Sequence, residues 1–310
     1  MHTGMQGIRL GVVGCGAVGA TFAYTALIRG LAGELVLIDA NRNKALGDAL
    51  DMSHGAPFVP PCRVVAGDYP DLAGCQVVVI AAGVNQQPGE TRLDLVRRNA
   101  QVIGEVVPSI LRHAPDTILL MATNPVDILA YQAYRISGLP VERVVGSGTL
   151  LDSARFRYLI GQELNIHPRS IHAYIVGEHG DSEVPIWSGT TVAGTPLGDA
   201  PPLGLPRERR AAIFAETRDA AYRIIAAKGA TYYAIALALA RICEAILNDE
   251  NTVLTVSTLV PRYGVYMGVP CVVGRHGARG PLPLALTEDE IQALDRSAAV
   301  LQQTLAELGL

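Results

Sequence analysis

Apolar positions in the first half of the chain fall in short unbroken runs separated by helix-like stretches. Candidate strands cover residues 8–13, 34–39, 62–66, 76–81, 117–122 and 143–146. Val77-Val78-Val79-Ile80 and Ile118-Leu119-Leu120-Met121 show no alternation, the pattern of strands covered on both faces. Six such strands with intervening helices predict an α/β fold built on a doubly wound six-stranded parallel sheet. The second half is patterned differently. A helix near 152–164 leads to alternating runs at 170–176 and 184–193, which read as antiparallel strands. A proline-rich loop over 195–206 precedes a long helical region, 207–247, interrupted near Gly229. Strand-like runs at 252–259 and 265–274 come before a last helix over about 287–308. Its apolar face carries Ile291, Leu294, Ala298, Leu301 and Leu305, behind an acidic first turn. The change of pattern divides the chain into residues 1–147 and 148–310, the second an α+β unit.

Composition narrows the partners. The chain has 310 residues, 49% of them apolar and 17% charged, with a net charge of −4. That balance gives no reason to expect nucleic acid or an anionic membrane surface, and no apolar stretch approaches the ~20 residues of a bilayer span. Residues 1–7 lack the basic and apolar pattern of a signal peptide. Five scattered cysteines without CxxC spacing suit reduced thiols in a cytoplasm better than a disulfide framework or a zinc site, so no metal is expected.

The first strand ends in Gly14-Cys15-Gly16-Ala17-Val18-Gly19, and a helix is read from Thr21 to Ile28. Strand, glycine turn and helix form the context of a dinucleotide fingerprint. Its phosphates would lie at the positive end of the helix. The second strand ends in Asp39, about the ~20 residues beyond the glycines that the fingerprint expects. A carboxylate there accepts ribose hydroxyls and repels a 2′-phosphate, which favours NAD over NADP. Ala82-Gly83, Thr123-Asn124-Pro125 and Gly146-Ser147-Gly148 also fall at carboxyl ends of strands, where such sheets bind ligands.

The segment Gly177-Glu178-His179-Gly180-Asp181-Ser182-Glu183 sets a histidine between glycines, on backbone that a ligand can approach closely. Asp152 is a candidate carboxylate to orient that ring and favour its protonated form. Arg155, on the same helical face, can fork onto a substrate carboxylate. Each has a plain alternative: a turn histidine, and an Asp152 that caps a helix. Between the fourth and fifth strands, Gly83 to Leu93 is a polar loop punctuated by glycine and proline. It leads into a helix reaching about Leu111 and reads either as a lid carrying Arg92 or as an ordinary surface loop.

Taken together and in this order, these motifs resemble the lactate/malate dehydrogenase family, on its bacterial L-lactate side, over nearly the whole chain. The resemblance implies that His179 is the catalytic proton donor and acceptor, Asp152 its partner, and Arg155 the holder of the substrate carboxylate. It implies that Arg92 polarises the reacting carbonyl, that Asn124 contacts substrate and cofactor region, and that Thr231 lines the substrate pocket. It implies a cis bond before Pro125 and cofactor contacts at Gly14, Gly16, Val18, Gly19, Asp39, Lys44, Tyr69, Gly83, Val84, Asn124 and Ser147. In this family a loop glutamine goes with lactate and an arginine with malate; here the residue is Gln86. The expected reaction is therefore NADH-dependent reduction of pyruvate to L-lactate and its reverse, with malate dehydrogenase as alternative. An NAD-binding protein that has lost catalysis is a more remote reading. Arg157 and His172 resemble a site for a fructose 1,6-bisphosphate activator, and the resemblance implies a homotetramer arranged as a dimer of dimers.

Overall fold

The computed structural model describes residues 7–84, 89, 91–199 and 203–310. The first half alternates β1 (Arg9–Val13), α1 (Ala17–Arg29), β2 (Glu34–Ile38), α2 (Arg42–His54), β3 (Arg63–Ala66), β4 (Val77–Ile80), α3 (Arg92–Leu111), β5 (Ile118–Met121), α4 (Val126–Ser137) and β6 (Val144–Gly146). Its strands run parallel in the order β3-β2-β1-β4-β5-β6. All residues of β4 and β5 are buried, as their unalternating sequence predicts. Each such valine or leucine contributes about 1.5–3 kcal/mol on burial. The first helix begins at Ala17 rather than Thr21, because the glycine turn passes directly into helical backbone.

The second half contains α5 (Leu150–Leu164), the short strands β7 (Ile171–His172), β8 (Ile175–Val176), β9 (Val184–Pro185), β10 (Thr191–Val192) and β11 (Thr195–Pro196), then α6 (Arg207–Lys228), α7 (Tyr233–Leu247), β12 (Thr252–Val260), β13 (Val265–Gly274), β14 (Gly277–Pro281) and α8 (Glu288–Leu308). The runs at 170–176 and 184–193 are each broken into two-residue strands. They pair antiparallel, β7 with β10 and β8 with β9. Gly229, at φ +87°, ends α6 and accounts for the interruption of the long helical region. A capping box of Thr287 and Glu290 opens α8, and its buried face holds Leu294, Ala298, Leu301 and Leu305.

One feature departs from the sequence reading. The parallel sheet does not end at β6: β12 pairs antiparallel with it, setting Ser257 opposite Gly146, and β13 and β14 complete nine strands. All three residues of β6 are buried. A strand so enclosed needs partners for its edge N–H and C=O groups, and β12 supplies them. Thr255, Ser257 and Thr258 of β12 are buried accordingly. The last strand escapes sequence reading because Gly-Ala-Arg-Gly-Pro has little intrinsic strand preference. Pairing with β13, through a register shift at Cys271 and Val272, creates it.

Candidate active site

The glycine turn is a consequence of close packing. Gly14 has φ +97°, and a Cβ there would fall 2.3 Å from the Ala82 nitrogen; one on Gly19 would fall 1.9 Å from the Gly14 carbonyl oxygen. Only glycine fits either place. Gly16, by contrast, faces open space and is exposed. It precedes α1, whose N-terminus has no side-chain cap, so the first-turn N–H groups are available to an anion. Asp39 binds this turn together: its Oδ2 accepts from the Cys15 N–H at 2.7 Å and its Oδ1 from the Asn41 N–H at 2.8 Å. The cradle and its carboxylate fit a dinucleotide with a free ribose.

Other residues expected around the cofactor are spread along the same edge. Val18 is half-buried on α1, Tyr69 is half-buried in a short 3-10 turn, and Ser147 is buried just after β6. Lys44 is exposed on α2 with its ammonium 2.8 Å from Asp48, committed to a neighbour on its own helix. Gly83 packs against Thr123, and the Val84 N–H donates to Asn99 Oδ1 at 2.8 Å. The Asn99 amide in turn donates to the Asn124 carbonyl at 3.1 Å. Asn99 thus ties the backbone just after Gly83 to the Asn124–Pro125 turn, whose peptide bond is cis, as the resemblance implies.

The substrate side gathers on α5 and the loop between β8 and β9. Asp152, on the first turn of α5, is buried between two cations. Its Oδ1 accepts from Arg155 Nη1 at 2.8 Å, and its Oδ2 lies 2.6 Å from His179 Nδ1. Burial alone would raise the Asp152 carboxyl, but His179 and Arg155 hold it below the ordinary carboxylate range. The same charge on Asp152 lifts His179 to about 9, against the opposing effect of burial. The imidazole is therefore protonated at neutral pH, with its ring held by Nδ1. Its backbone is held too, because the His179 N–H donates to Asp127 Oδ2 at 2.7 Å, while Ser257 donates to Asp127 Oδ1 at 2.5 Å. Burial raises the Asp127 carboxyl to about 6.

Asn124, Asp152, Arg155 and His179 line one cavity of about 220 Å³, shared with Glu183, Arg218 and Tyr222. A second cavity of about 470 Å³ meets the first at Val96, Pro125, His179 and Asp181. Thr231 stands half-buried in the turn between α6 and α7 and is not among the described residues lining either cavity. Gln86 and the side chain of Arg92 lie outside the described residues; the backbone of Arg92 begins α3.

Sequence alone does not single out Asn99, Asp127, Glu183, Arg218 or Tyr222. Asn99 carried a signal, since it occupies the apolar stripe of α3 between the buried Val96 and Ile103, where a hydrophobe is expected. Asp127 follows the Asn-Pro turn and is buried on a helix, but its partners are remote in sequence. Arg218 and Tyr222 sit on α6, far along the chain, and only the fold brings them to the mouth, where the Tyr222 hydroxyl donates to Asp181 at 2.8 Å.

Away from this site, Arg157 and His172 share a third cavity, about 440 Å³, with Tyr174 and Arg241. Arg157 Nε donates to the Ser153 carbonyl at 3.1 Å, and His172 is exposed. Arg241, a second arginine in this cavity, is paired with Glu244 and Glu250.

Comparison with known proteins agrees with this geometry. Residues 8–146 match the NAD binding domain of the lactate/malate dehydrogenase family, and residues 149–308 match its alpha/beta C-terminal domain. An L-lactate dehydrogenase of Thermoanaerobacter sp. is 50% identical over 97% of this chain and 99% of its own. L-lactate dehydrogenase 1 of Bacillus cereus is 51% identical over 96% and 97%. The solved minor L-lactate dehydrogenase of Enterococcus mundtii superposes with a TM-score of 0.95 at 41% identity, covering 97% of this chain and 98% of that one. With both halves matched and the paired aspartate, arginine and histidine in one cavity beside a dinucleotide cradle, the chain belongs to the lactate/malate dehydrogenase family.

Proposed function

We propose that this chain is an NAD-dependent L-lactate dehydrogenase, reducing pyruvate to L-lactate and catalysing the reverse. The observation that carries the reading is the Arg155–Asp152–His179 chain of contacts facing a cavity at the carboxyl edge of the sheet. Residues 1–147 supply the cofactor cradle and residues 148–310 most of the substrate side. When bound, NADH supplies the hydride and NAD accepts it.

The residues of the chain do the rest. Asp152 takes only Nη1 of Arg155, and the other guanidinium donors are placed to fork onto the substrate carboxylate. His179, held protonated, offers Nε2 to the ketone oxygen and gives up its proton as negative charge builds there. Asp152 stabilises the imidazolium and fixes the ring so that Nε2 is the free nitrogen. In the oxidative direction His179 must start neutral and receives the proton from the hydroxyl. As the family resemblance implies, Arg92 would supply a second cation for the reacting oxygen and Thr231 a further substrate contact, while Asn124 lines the cavity itself. A glutamine at position 86, where the family has arginine for malate, supports a methyl group over a second carboxylate at the far end of the substrate.

For assembly, a homotetramer built as a dimer of dimers is supported by exposed apolar side chains on α1, α2 and α7, among them Tyr24, Ile28, Leu50, Tyr233 and Leu237. Arg157 and His172 in one cavity support a fructose 1,6-bisphosphate activator site at a subunit boundary. A cytoplasmic setting is supported by five free cysteines. No helix among the described residues is long and apolar enough to cross a membrane.

The test is loss of NADH absorbance on adding pyruvate, with oxaloacetate run beside it. Faster turnover of pyruvate is expected. No pyruvate-dependent oxidation overturns the reading, and faster oxaloacetate reduction transfers it to malate.

A further inference from the structure

The substrate cavity holds a carboxyl group that the mechanism leaves unused. Glu183 is buried at the entry to β9, 6% exposed, and it lines the same cavity as Arg155 and His179. Its Oε1 is fully enclosed and has no hydrogen-bond partner among the described residues. Most buried polar atoms are paired, and an unpartnered carboxyl oxygen on a residue that lines a reaction cavity asks for a reason.

The charges facing it come from three elements. Asp152 and Arg155 stand on α5, His179 on the loop between β8 and β9, and Arg218 on α6. Arg218 is exposed and bonded to Asp219, while Asp181 at the mouth accepts from Tyr222. Inside, Arg155 and protonated His179 carry two positive charges and Asp152 one negative charge. Asp127, held on the His179 N–H, adds a second carboxylate behind them, and Arg155 keeps guanidinium donors that Asp152 does not take. An ionised Glu183 would compete for Arg155 before any substrate arrived.

We propose that Glu183 is the charge selector of the substrate cavity: protonated, it leaves room for one substrate carboxylate on Arg155, and ionised, it repels that carboxylate. This rests on the dehydrogenase reading above and adds a specificity-determining residue to it. Burial, with the charge of Asp152 adding to it, raises the Glu183 carboxyl to about 8, so the neutral form prevails at neutral pH and the ionised form above it. The substrate's affinity then falls with rising pH through two groups in turn, Glu183 and His179. Only the second carries the proton that reaches the product.

The experiment compares kcat and KM for pyruvate from pH 6.5 to 9.5 in the wild type and in Glu183→Gln, with NADH affinity as a check of folding. Glu183→Gln keeps the volume and removes the titration. Between pH 7 and 9 the wild-type KM is expected to rise at least about fivefold more than that of the variant, since ionisation places a like charge beside the bound carboxylate. The difference is expected to appear in KM more than in kcat, since the repulsion acts on binding. Parallel KM profiles overturn the inference, because a merely structural glutamate would shift KM equally at every pH. The wild type gives a second reading that needs no variant. Oxamate, a non-reducible analogue of pyruvate, is bound to the NADH complex at pH 9 in buffers of different ionisation enthalpy. More than one proton taken up per site supports a second titrating group, and uptake of one or fewer overturns it. A wild type that never oxidises NADH with pyruvate would sink the dehydrogenase reading itself, whereas an active enzyme with unchanged KM profiles would sink this inference alone.

Discussion

The imidazole Nδ1 of His179 lies 2.6 Å from Asp152 Oδ2, and this one contact links proton transfer to folding. His179 is raised from 6.5 to about 9 in the folded chain, so the folded state binds the proton more tightly than the unfolded one. The stabilisation is complete below about pH 6.5 and is lost as pH rises through about 9. At 1.36 kcal/mol per unit it is on the order of 3 kcal/mol. Between pH 6.5 and 9 the wild-type melting temperature should therefore fall more than that of Asp152→Asn. His179→Asn should retain NADH binding and lose roughly 10²–10⁴-fold in pyruvate reduction. Equal thermal profiles, or near-normal turnover, would contradict this pairing.

Asp39 has two tasks. Its oxygens hold the Cys15 and Asn41 N–H groups, and its charge opposes a 2′-phosphate. Asp39→Ser should narrow the preference for NADH over NADPH. It should also weaken NADH itself about tenfold, since each hydrogen bond to a charged group contributes about 1.5–3 kcal/mol. Titrating both cofactors by fluorescence separates the effects: a narrowed preference with undiminished NADH affinity would mean that Asp39 does not support the turn.

Asn99 bridges the Val84 N–H and the Asn124 carbonyl. Asn99→Leu would suit the apolar stripe of α3 but strand both backbone groups, at about 1–3 kcal/mol each. A lowered melting temperature and a raised KM for pyruvate are expected together. A variant as stable as the wild type would show that the bridge is dispensable.

Gln86→Arg should raise kcat/KM for oxaloacetate and lower it for pyruvate. The new guanidinium pairs with a second carboxylate, and with pyruvate it is left desolvated and unpaired. Measuring both substrates in both proteins decides the point, because a common loss on each would leave their ratio unchanged and spread specificity over the pocket.

The parallel half of the sheet was legible because buried strands announce themselves as unbroken apolar runs, and the glycine turn because Gly14 and Gly19 tolerate no side chain. His179, Asp152 and Arg155 were legible as a set because their types, spacing and family resemblance converge. The antiparallel runs at 170–176 and 184–193 were legible as well, but not their division into the two-residue strands β7 to β10. Two-residue pairings leave almost no periodicity, and β11 lay in what reads as a proline-rich loop. Asp127 and Glu183 were hidden for another reason. What makes them notable is burial against residues distant in sequence, and burial of a carboxylate is a property of the fold rather than of its neighbours in the chain.

The pairing of β12 with β6 bears on how the molecule comes apart. A fragment stopped at residue 147 would keep the cofactor cradle yet expose β6 as a bare, wholly apolar edge, a template for addition of foreign strands. Ser257 deepens the dependence, since it sits opposite Gly146 and also donates to Asp127, which anchors the backbone of His179. The division of labour between the halves is thus not a division of stability. Loss of the last third of the chain would be felt first as aggregation of the remainder, before any question of its chemistry arose.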